Sequence, residues 1–299
     1  MGGAPTNFSC HAAALGANAT VISRVGADVS GESLLACLGE FGVATDGISE
    51  DPGHPTGTVE VSLGSDGQPE YNICRDVAWD HLKVTPGLLG MAAAADAVCF
   101  GTLGQRSAVS RQTIRHLVAA TRTDAVRVFD VNLRQDYFTA DVIHESLQLA
   151  NVLKLSDSEL PVLAQLLDLE GSVDKQLQTL FVRYELAWIV YTRGAEGSIL
   201  CSELEWQIHR GVPTTVRDTI GAGDSFTAAV TMGLLSGWSA AKISEIANEV
   251  AAHVCSCTGA VPVLPAHLRR SFQSSDSDVT APCPADAEIH DRGPQRATA

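Results

Sequence analysis

Asp218-Thr219-Ile220-Gly221-Ala222-Gly223-Asp224-Ser225-Phe226 sets two glycines between two carboxylates, where a β-rich segment gives way to a run of small and apolar residues ending at Leu235. That run contains no proline, so it reads as a helix that starts at the glycines. The first N–H groups of a helix have no partner within it, and the macrodipole is positive at that end. The N–H groups of residues 221 to 224 therefore form an anion site, and the glycines let backbone approach a ligand closely. A carboxylate inside an anion site is costly unless it does chemistry. Asp224 suits a general base that takes a proton from a hydroxyl while the N–H groups hold a phosphoryl group in transfer. The same residues also suit a plain helix cap. The third glycine of a dinucleotide fingerprint is missing here, as is the Lys-Ser/Thr ending of a Walker P-loop.

At the other end, Gly2-Gly3-Ala4-Pro5-Thr6-Asn7 leads into the small-residue run from Phe8 to Leu15, with Gly16 as a helix stop. A glycine pair followed by Asn at a helix start offers N–H groups and an amide to a polyol, or simply makes a turn and cap. Between the two ends, strand-like runs recur at Ala19–Val25, Ala97–Phe100, Val126–Val131, Val152–Leu155 and Trp188–Thr192. Helical patterns lie between them at Gly31–Phe41, Val109–Thr121, Asp141–Ala150, Ser158–Leu167 and Val173–Tyr184. Short apolar strands alternating with helices predict an α/β fold, with a mostly parallel central sheet covered on both faces. Ligands in such folds sit beyond the carboxyl ends of the strands, so Asp130, Ser156 and Thr192 are expected in one crevice. Thr58–Leu63 and Tyr71–Cys74 flank Gly64-Ser65-Asp66-Gly67-Gln68, which predicts a β-hairpin within residues 56–78.

Taken together, these marks resemble the ribokinase-like (PfkB) family of carbohydrate kinases. Gly2–Asn7, followed by Val25-Gly26-Ala27-Asp28 and Gly31, is similar to the family's N-terminal signature, and Asp218–Asp224 to its C-terminal one. Thr56-Gly57-Thr58, Ala78-Trp79-Asp80, Phe100-Gly101-Thr102-Leu103, Asp130 with Asn132-Leu133-Arg134, Lys154-Leu155-Ser156 with Glu159, Thr192–Gly197, and Gly259-Ala260 with Pro262 follow in the family's order. Several of these look most like the bacterial-type fructokinases.

The resemblance implies transfer of the ATP γ-phosphoryl group to a sugar hydroxyl, with D-fructose as acceptor. It leaves open 2-keto-3-deoxygluconate, ribose or a nucleoside as acceptor, and a truncated member that binds without turnover. It implies Asp224 as base, with Gly221, Ala222 and Gly223 as the anion hole. Gly3, Asn7 and Arg134 would contact sugar; Arg134 suits a surface salt bridge equally well. Gly194, Gly197 and Asn248 would line the nucleotide site. Glu159 would organise Mg²⁺ through water, although Ser156 stands where many members have Asn. Asp218 would hold K⁺. The 56–78 hairpin would be a lid over the sugar and the contact of a homodimer. The resemblance also implies a first strand ahead of Gly2-Gly3. Met1 stands there instead, so an open slot is expected in the sheet beside Ala19–Val25.

The resemblance implies one kinase domain over residues 1–272, and the length suffices for one large α/β domain. The chain has 299 residues, 45% hydrophobic and 18% charged, which is globular rather than disordered. A net charge of −15 opposes nucleic-acid or anionic-membrane binding through the bulk field. Eight scattered cysteines without a Cys-x-x-Cys pair read as reduced thiols of a cytoplasmic protein. Residues 273–299 are rich in Ser, Asp, Pro and Ala without periodicity, and read as a disordered tail.

Overall fold

The structure is a computed structural model that describes residues 2–63 and 69–272. In chain order the elements begin with α1 (Ala4–Ala14), β1 (Ser23–Gly26), α2 (Val29–Glu40), β2 (Ile48–Asp51), β3 (Val59–Leu63), β4 (Pro69–Ile73) and α3 (Pro86–Ala94). Then follow β5 (Ala97–Gly101), α4 (Ala108–Ala120), β6 (Val126–Asp130), α5 (Ala140–Leu149), β7 (Val152–Ser156), α6 (Leu160–Leu166) and α7 (Val173–Arg183). The chain continues through β8 (Trp188–Thr192), β9 (Ser198–Cys201), β10 (Trp206–His209), α8 (Ala222–Leu235), α9 (Ala240–Cys255) and α10 (Ala266–Ser271).

Six strands form the central sheet in the order β10-β9-β8-β7-β6-β5. Strands β5 to β8 run parallel, while β9 and β10 turn back antiparallel. Side-chain alternation along the strands explains the two covered faces. Phe129, Leu153, Leu155, Ile189 and Tyr191 point into one core with Ile143, Leu147, Leu163, Leu177 and Leu180 of α5, α6 and α7. Val128, Val152, Val190 and Leu200 point to the opposite core, with Phe226 and Val230 of α8 and Ile243 and Val250 of α9. Helix α1 packs against α8 on that side, which brings the two signatures of the sequence together.

The expected strand over Ala19–Val25 is shorter and sits elsewhere. β1 pairs in parallel with β2, from Ser23↔Ile48 to Gly26↔Asp51, in a separate two-stranded sheet. The period of the sequence specified a strand there, but the central sheet is joined only by hydrogen-bonded neighbours, and among the described residues β1 has that relation with β2 alone. One cleft is lined both by residues 21–25 and by residues 97–100. Strands β3 and β4 pair antiparallel, Val59 opposite Ile73, as the hairpin reading required. The turn at residues 64–68 and the tail at 273–299 lie outside the described residues.

Candidate active site

α8 begins at Ala222, and Gly221 precedes it with φ 80°. A Cβ on Gly221 would lie 2.3 Å from the Ala260 carbonyl oxygen, so glycine is required both by the left-handed backbone and by this approach. The first intrahelical bond runs from the Ser225 N–H to Gly221 O at 2.8 Å. The Ala222 N–H bends back to Thr219 O over a long 3.3 Å, so Gly223 and Asp224 are the freer donors of the predicted anion hole.

Asp224 sits in this first turn. Its Oδ2 accepts a hydrogen bond from Asn7 Nδ2 at 2.8 Å across 217 positions of sequence. Burial pushes the Asp224 carboxyl above its ordinary range; the Asn7 bond and the charges of Lys154 and Arg134 pull the other way and lose. Asn7 is not at the helix start, as the sequence suggested, but one turn inside α1, because Gly3 with φ 103° and Pro5 start the helix at Ala4. Asn7 is 4% exposed, and its Oδ1 is a buried acceptor without a partner among the described residues. A ligand hydroxyl would satisfy that oxygen.

Behind the helix start lies a group of charges that sequence reading gave no role. Lys154 Nζ donates to Asp130 Oδ1 at 3.0 Å, and Thr227 Oγ1 of α8 donates to Asp130 Oδ2 at 3.0 Å. Both ionic partners are buried. Burial opposes charge on Lys154, but Asp130, Glu159 and Asp224 together outweigh it and hold the ammonium above its ordinary value. Lys154 Nζ lies 3.5 Å from where a Gly223 Cβ would be, so a positive charge backs the start of α8. The signal was legible: a lone lysine in Val152-Leu153-Lys154-Leu155, a strand buried on both faces, needs a buried counter-ion.

Glu159 is 8% exposed. Its Oε1 accepts the Leu133 N–H at 2.9 Å, and its Oε2 accepts the Ser156 N–H and hydroxyl at 2.8 and 2.9 Å. Ser156 thus orients the carboxylate. Asp218 clasps backbone: Oδ1 accepts the Ile220 N–H at 2.9 Å and Oδ2 the Gly259 N–H at 3.0 Å, which lowers its pKa. It ties the lead-in of α8 to the loop at Ala260. That loop is held again by the buried His11, whose Nε2 lies 2.9 Å from Ala260 O.

A cleft of about 2870 Å³ runs along the carboxyl ends of the strands. It is lined by Gly3, Asn7, Arg134, Glu159, Gly221 to Asp224, and by Gly194, Gly197 and Asn248 further along. Asp218 is not among its lining residues. Asp130, Ser156 and Thr192 all line it, as their strand-end positions required. Small-molecule sites occupy roughly 300–1,000 Å³; this cleft is larger because it merges with the open space between residues 21–25 and 97–100.

Two predicted nucleotide-site residues also have structural work. A Cβ on Gly197 would meet Gly211 N and His209 O at 2.2 Å, and Asn248 Nδ2 bridges Ser198 Oγ and Ser244 O at 2.8 and 2.7 Å. The signature at residues 25–31 is likewise a brace. Asp28 accepts the Gly31 N–H, the Thr56 N–H and the Thr56 hydroxyl at 2.7–2.8 Å, fixing the approach to β3. No helix among the described residues is long and apolar enough to cross a membrane.

The chain is similar to known proteins in sequence and fold. The profile of the pfkB family carbohydrate kinases matches residues 1–267. An uncharacterized sugar kinase of Pyrococcus horikoshii is 30% identical over 263 residues, covering 84% of this chain and 79% of that protein. Its structure in complex with ATP superposes with a TM-score of 0.74, over 87% of this chain and 84% of that one. An Escherichia coli fructokinase is 29% identical over 277 residues, 88% of each chain. A Vibrio cholerae fructokinase, solved in a fructose, ADP and calcium ion bound form, shares the fold at 22% identity with a TM-score of 0.73, over 91% and 90% of the two chains. The chain belongs to the pfkB family of carbohydrate kinases and is a phosphotransferase that acts on a sugar hydroxyl.

Proposed function

We propose that this kinase transfers the γ-phosphoryl group of ATP to a hydroxyl of D-fructose. The observation that carries the chemistry is Asp224 in the first turn of α8, bonded to Asn7 and facing the cleft beside the N–H groups of residues 221–223. The likeness to a fructokinase over 88% of both chains supports fructose among the sugars.

Asp224 takes the proton of the acceptor hydroxyl. The hydroxyl oxygen then bonds to the γ-phosphorus, the bond from that phosphorus to the β–γ bridging oxygen breaks, and ADP leaves. Asn7 fixes the Asp224 carboxylate and offers its unpaired Oδ1 to a sugar hydroxyl. In this reading Gly3 and Arg134 serve the sugar, and Gly194, Gly197 and Asn248 the nucleotide, in the one cleft that all five line. Positioning and charge stabilisation dominate phosphoryl transfer, so N–H donors backed by Lys154 are sufficient machinery. The β3–β4 hairpin acts as a lid that excludes water, which competes with the sugar as acceptor.

Magnesium neutralises charge on the transferring phosphates when bound. The carboxylate of Glu159 fits such an ion. It is a hard oxygen donor facing the cleft, and its three protein hydrogen bonds favour contact through the ion's waters rather than direct ligation. Potassium activation belongs to the same reading, with Asp218 shaping the cation's surroundings through the loop it clasps. A potassium titration of turnover should rise in the wild type and flatten in Asp218→Ala; a flat wild-type titration removes the cation from the reading.

The test of substrate is coupled ADP release with fructose, ribose, 2-keto-3-deoxygluconate and a nucleoside. The highest kcat/KM is expected for fructose. A higher value for another acceptor reassigns the substrate and keeps the chemistry. No turnover on any acceptor, with ATP still bound, favours a family member that binds without catalysis.

A further inference from the structure

Away from the cleft, three side chains from two segments converge at the root of the β3–β4 hairpin. His54 lies five positions before β3, Asp76 three positions after β4, and His81 ends the short 3-10 turn Ala78–His81. Their ligand atoms lie within 4.8 Å of one another. Asp76 Oδ1 is 2.8 Å from His81 Nε2 and 3.8 Å from His54 Nε2, and the two imidazoles stack with centroids 3.6 Å apart. None of the three lines the cleft. We propose that His54, Asp76 and His81 form a site for a borderline divalent cation of the zinc type, clasping the two ends of the β3–β4 hairpin.

The surroundings are those of a prepared ligand. His54 Nδ1 lies 2.9 Å from Asp51 Oδ2. That carboxylate is 6% exposed and is itself held by the Gly53 N–H at 2.9 Å and by Arg24 at 3.1 Å. A carboxylate on Nδ1 keeps the proton there, which leaves the Nε2 lone pair free and aims the ring. Arg24 also donates to the backbone oxygen of His81 at 2.9 Å, so one guanidinium braces both histidine segments. Asp76 adopts φ 54°, a backbone state that carries its side chain back toward the two rings.

Two imidazoles and one carboxylate are a donor set for Zn²⁺, with the remaining position left to water. A tetrahedral ion with bonds of about 2.0–2.2 Å holds its ligand atoms roughly 3.4 Å apart. Closing the cluster therefore needs side-chain rotations of about an ångström. The Asp76 distances of 2.8 and 3.8 Å already bracket that value, so the adjustment falls on the stacked imidazoles, which turn until their in-plane lone pairs converge on the ion. With both histidines neutral, the cluster of Asp51, Asp76 and Arg24 carries one net negative charge, which favours a cation. A hard ion such as Mg²⁺ would find only one carboxylate oxygen group here and is disfavoured. A cation at this point would tie the lead-in of β3 to the lead-out of β4 and stiffen the root of the hairpin.

The experiment is equilibrium dialysis and calorimetry of the full 299-residue chain with zinc chloride, and with magnesium chloride as the contrasting probe. One zinc equivalent is expected, with affinity weakened at least tenfold in Asp76→Asn and in His54→Gln, about the scale seen when one element of a metal site is lost. Asp76→Asn is exposed and keeps a residue that tolerates positive φ, so it folds as the wild type does, which a metal-free melt verifies. Zinc should also slow amide exchange at Thr58–Val59 and Ile73–Cys74 in the wild type and leave Asp76→Asn unchanged. Absence of zinc binding, or equal binding in both variants, overturns the proposal. So does loss of binding in Cys257→Ser, because His253 Nε2 and Cys257 Sγ lie 3.8 Å apart and would then be the ligands.

Discussion

Asp224 is pulled in two directions, and the outcome sets its pH behaviour. Burial raises its pKa above the ordinary 3.8, and Asn7, Lys154 and Arg134 only partly offset that. The base proposed above must be ionised to act, so the acid limb of kcat should lie above the range of an ordinary aspartate. Asp224→Asn should bind ATP and lose about two to four orders of magnitude in turnover; near wild-type kcat would remove Asp224 from the mechanism. The stability sign follows from the same shift. A carboxyl that holds its proton more tightly when folded loses stability as pH rises from the unfolded pKa through the folded one. Asp224→Asn should therefore melt higher than the wild type at neutral pH, and the gap should close in acid below both pKa values. Lys154 behaves differently, because its charge is matched. Lys154→Met leaves Asp130 buried with Thr227 as its one side-chain partner among the described residues, and removing one member of a buried pair costs about 3–5 kcal/mol. Lys154→Met with Asp130→Asn should recover much of that loss in a denaturant melt; a double variant no better than the single one would show that the pair is not the source.

At the scale of elements, α8 was legible because its start and end are local facts. Glycines at 221 and 223, no internal proline and a small-residue run gave a helix to Leu235, where the structure ends it. The parallel strands were legible as short apolar runs between helical periods. Strands β9 and β10 and helix α9 were not placed, for different reasons. Ser198–Cys201 is only four residues long and all buried, so no alternation shows. Ala240–Cys255 is small and mixed, and its apolar stripe becomes evident only against the sheet face it covers. Asp224 and its glycines could be read from spacing as a candidate site. The Asn7–Asp224 bond could not, because nothing in the sequence states that α1 and α8 are neighbours. Gly221 tests the element directly. A side chain there meets both φ 80° and the Ala260 carbonyl at 2.3 Å. Gly221→Ala should cost about 1–3 kcal/mol of stability and lower kcat, because the helix start must move to relieve the contact. A variant with unchanged melt and kcat would mean that the loop at Ala260 yields freely and does not fix the start of α8.

For the whole molecule, the open space between the two sheets has consequences that hydrogen exchange can read. In a parallel strand, the N–H and C=O of one residue point to the same side, and successive residues alternate. The Val126 N–H donates to Asp96 O, so Asp96, Val98 and Phe100 face β6. Ala97 and Cys99 therefore turn their backbone groups away from β6, toward the cleft that residues 21–25 also line. β7 differs, since β6 and β8 flank it on both sides. Backbone groups inside a cleft have water as partner only while water reaches them, and a buried unpaired group costs about 1–3 kcal/mol. The cleft of about 2870 Å³ is large enough to be wet, so these groups are expected to be hydrated and fast to exchange. The Ala97 and Cys99 amides should exchange at least about tenfold faster than those of Val98, Phe100 and Leu153, measured residue by residue under native conditions. Equal protection of Cys99 and Leu153 would mean that the edge of β5 is covered in solution. A sugar or nucleotide confined to the far end of the cleft should leave the Ala97 and Cys99 rates unchanged while slowing those at residues 221–224, which separates the binding region from the space between the sheets.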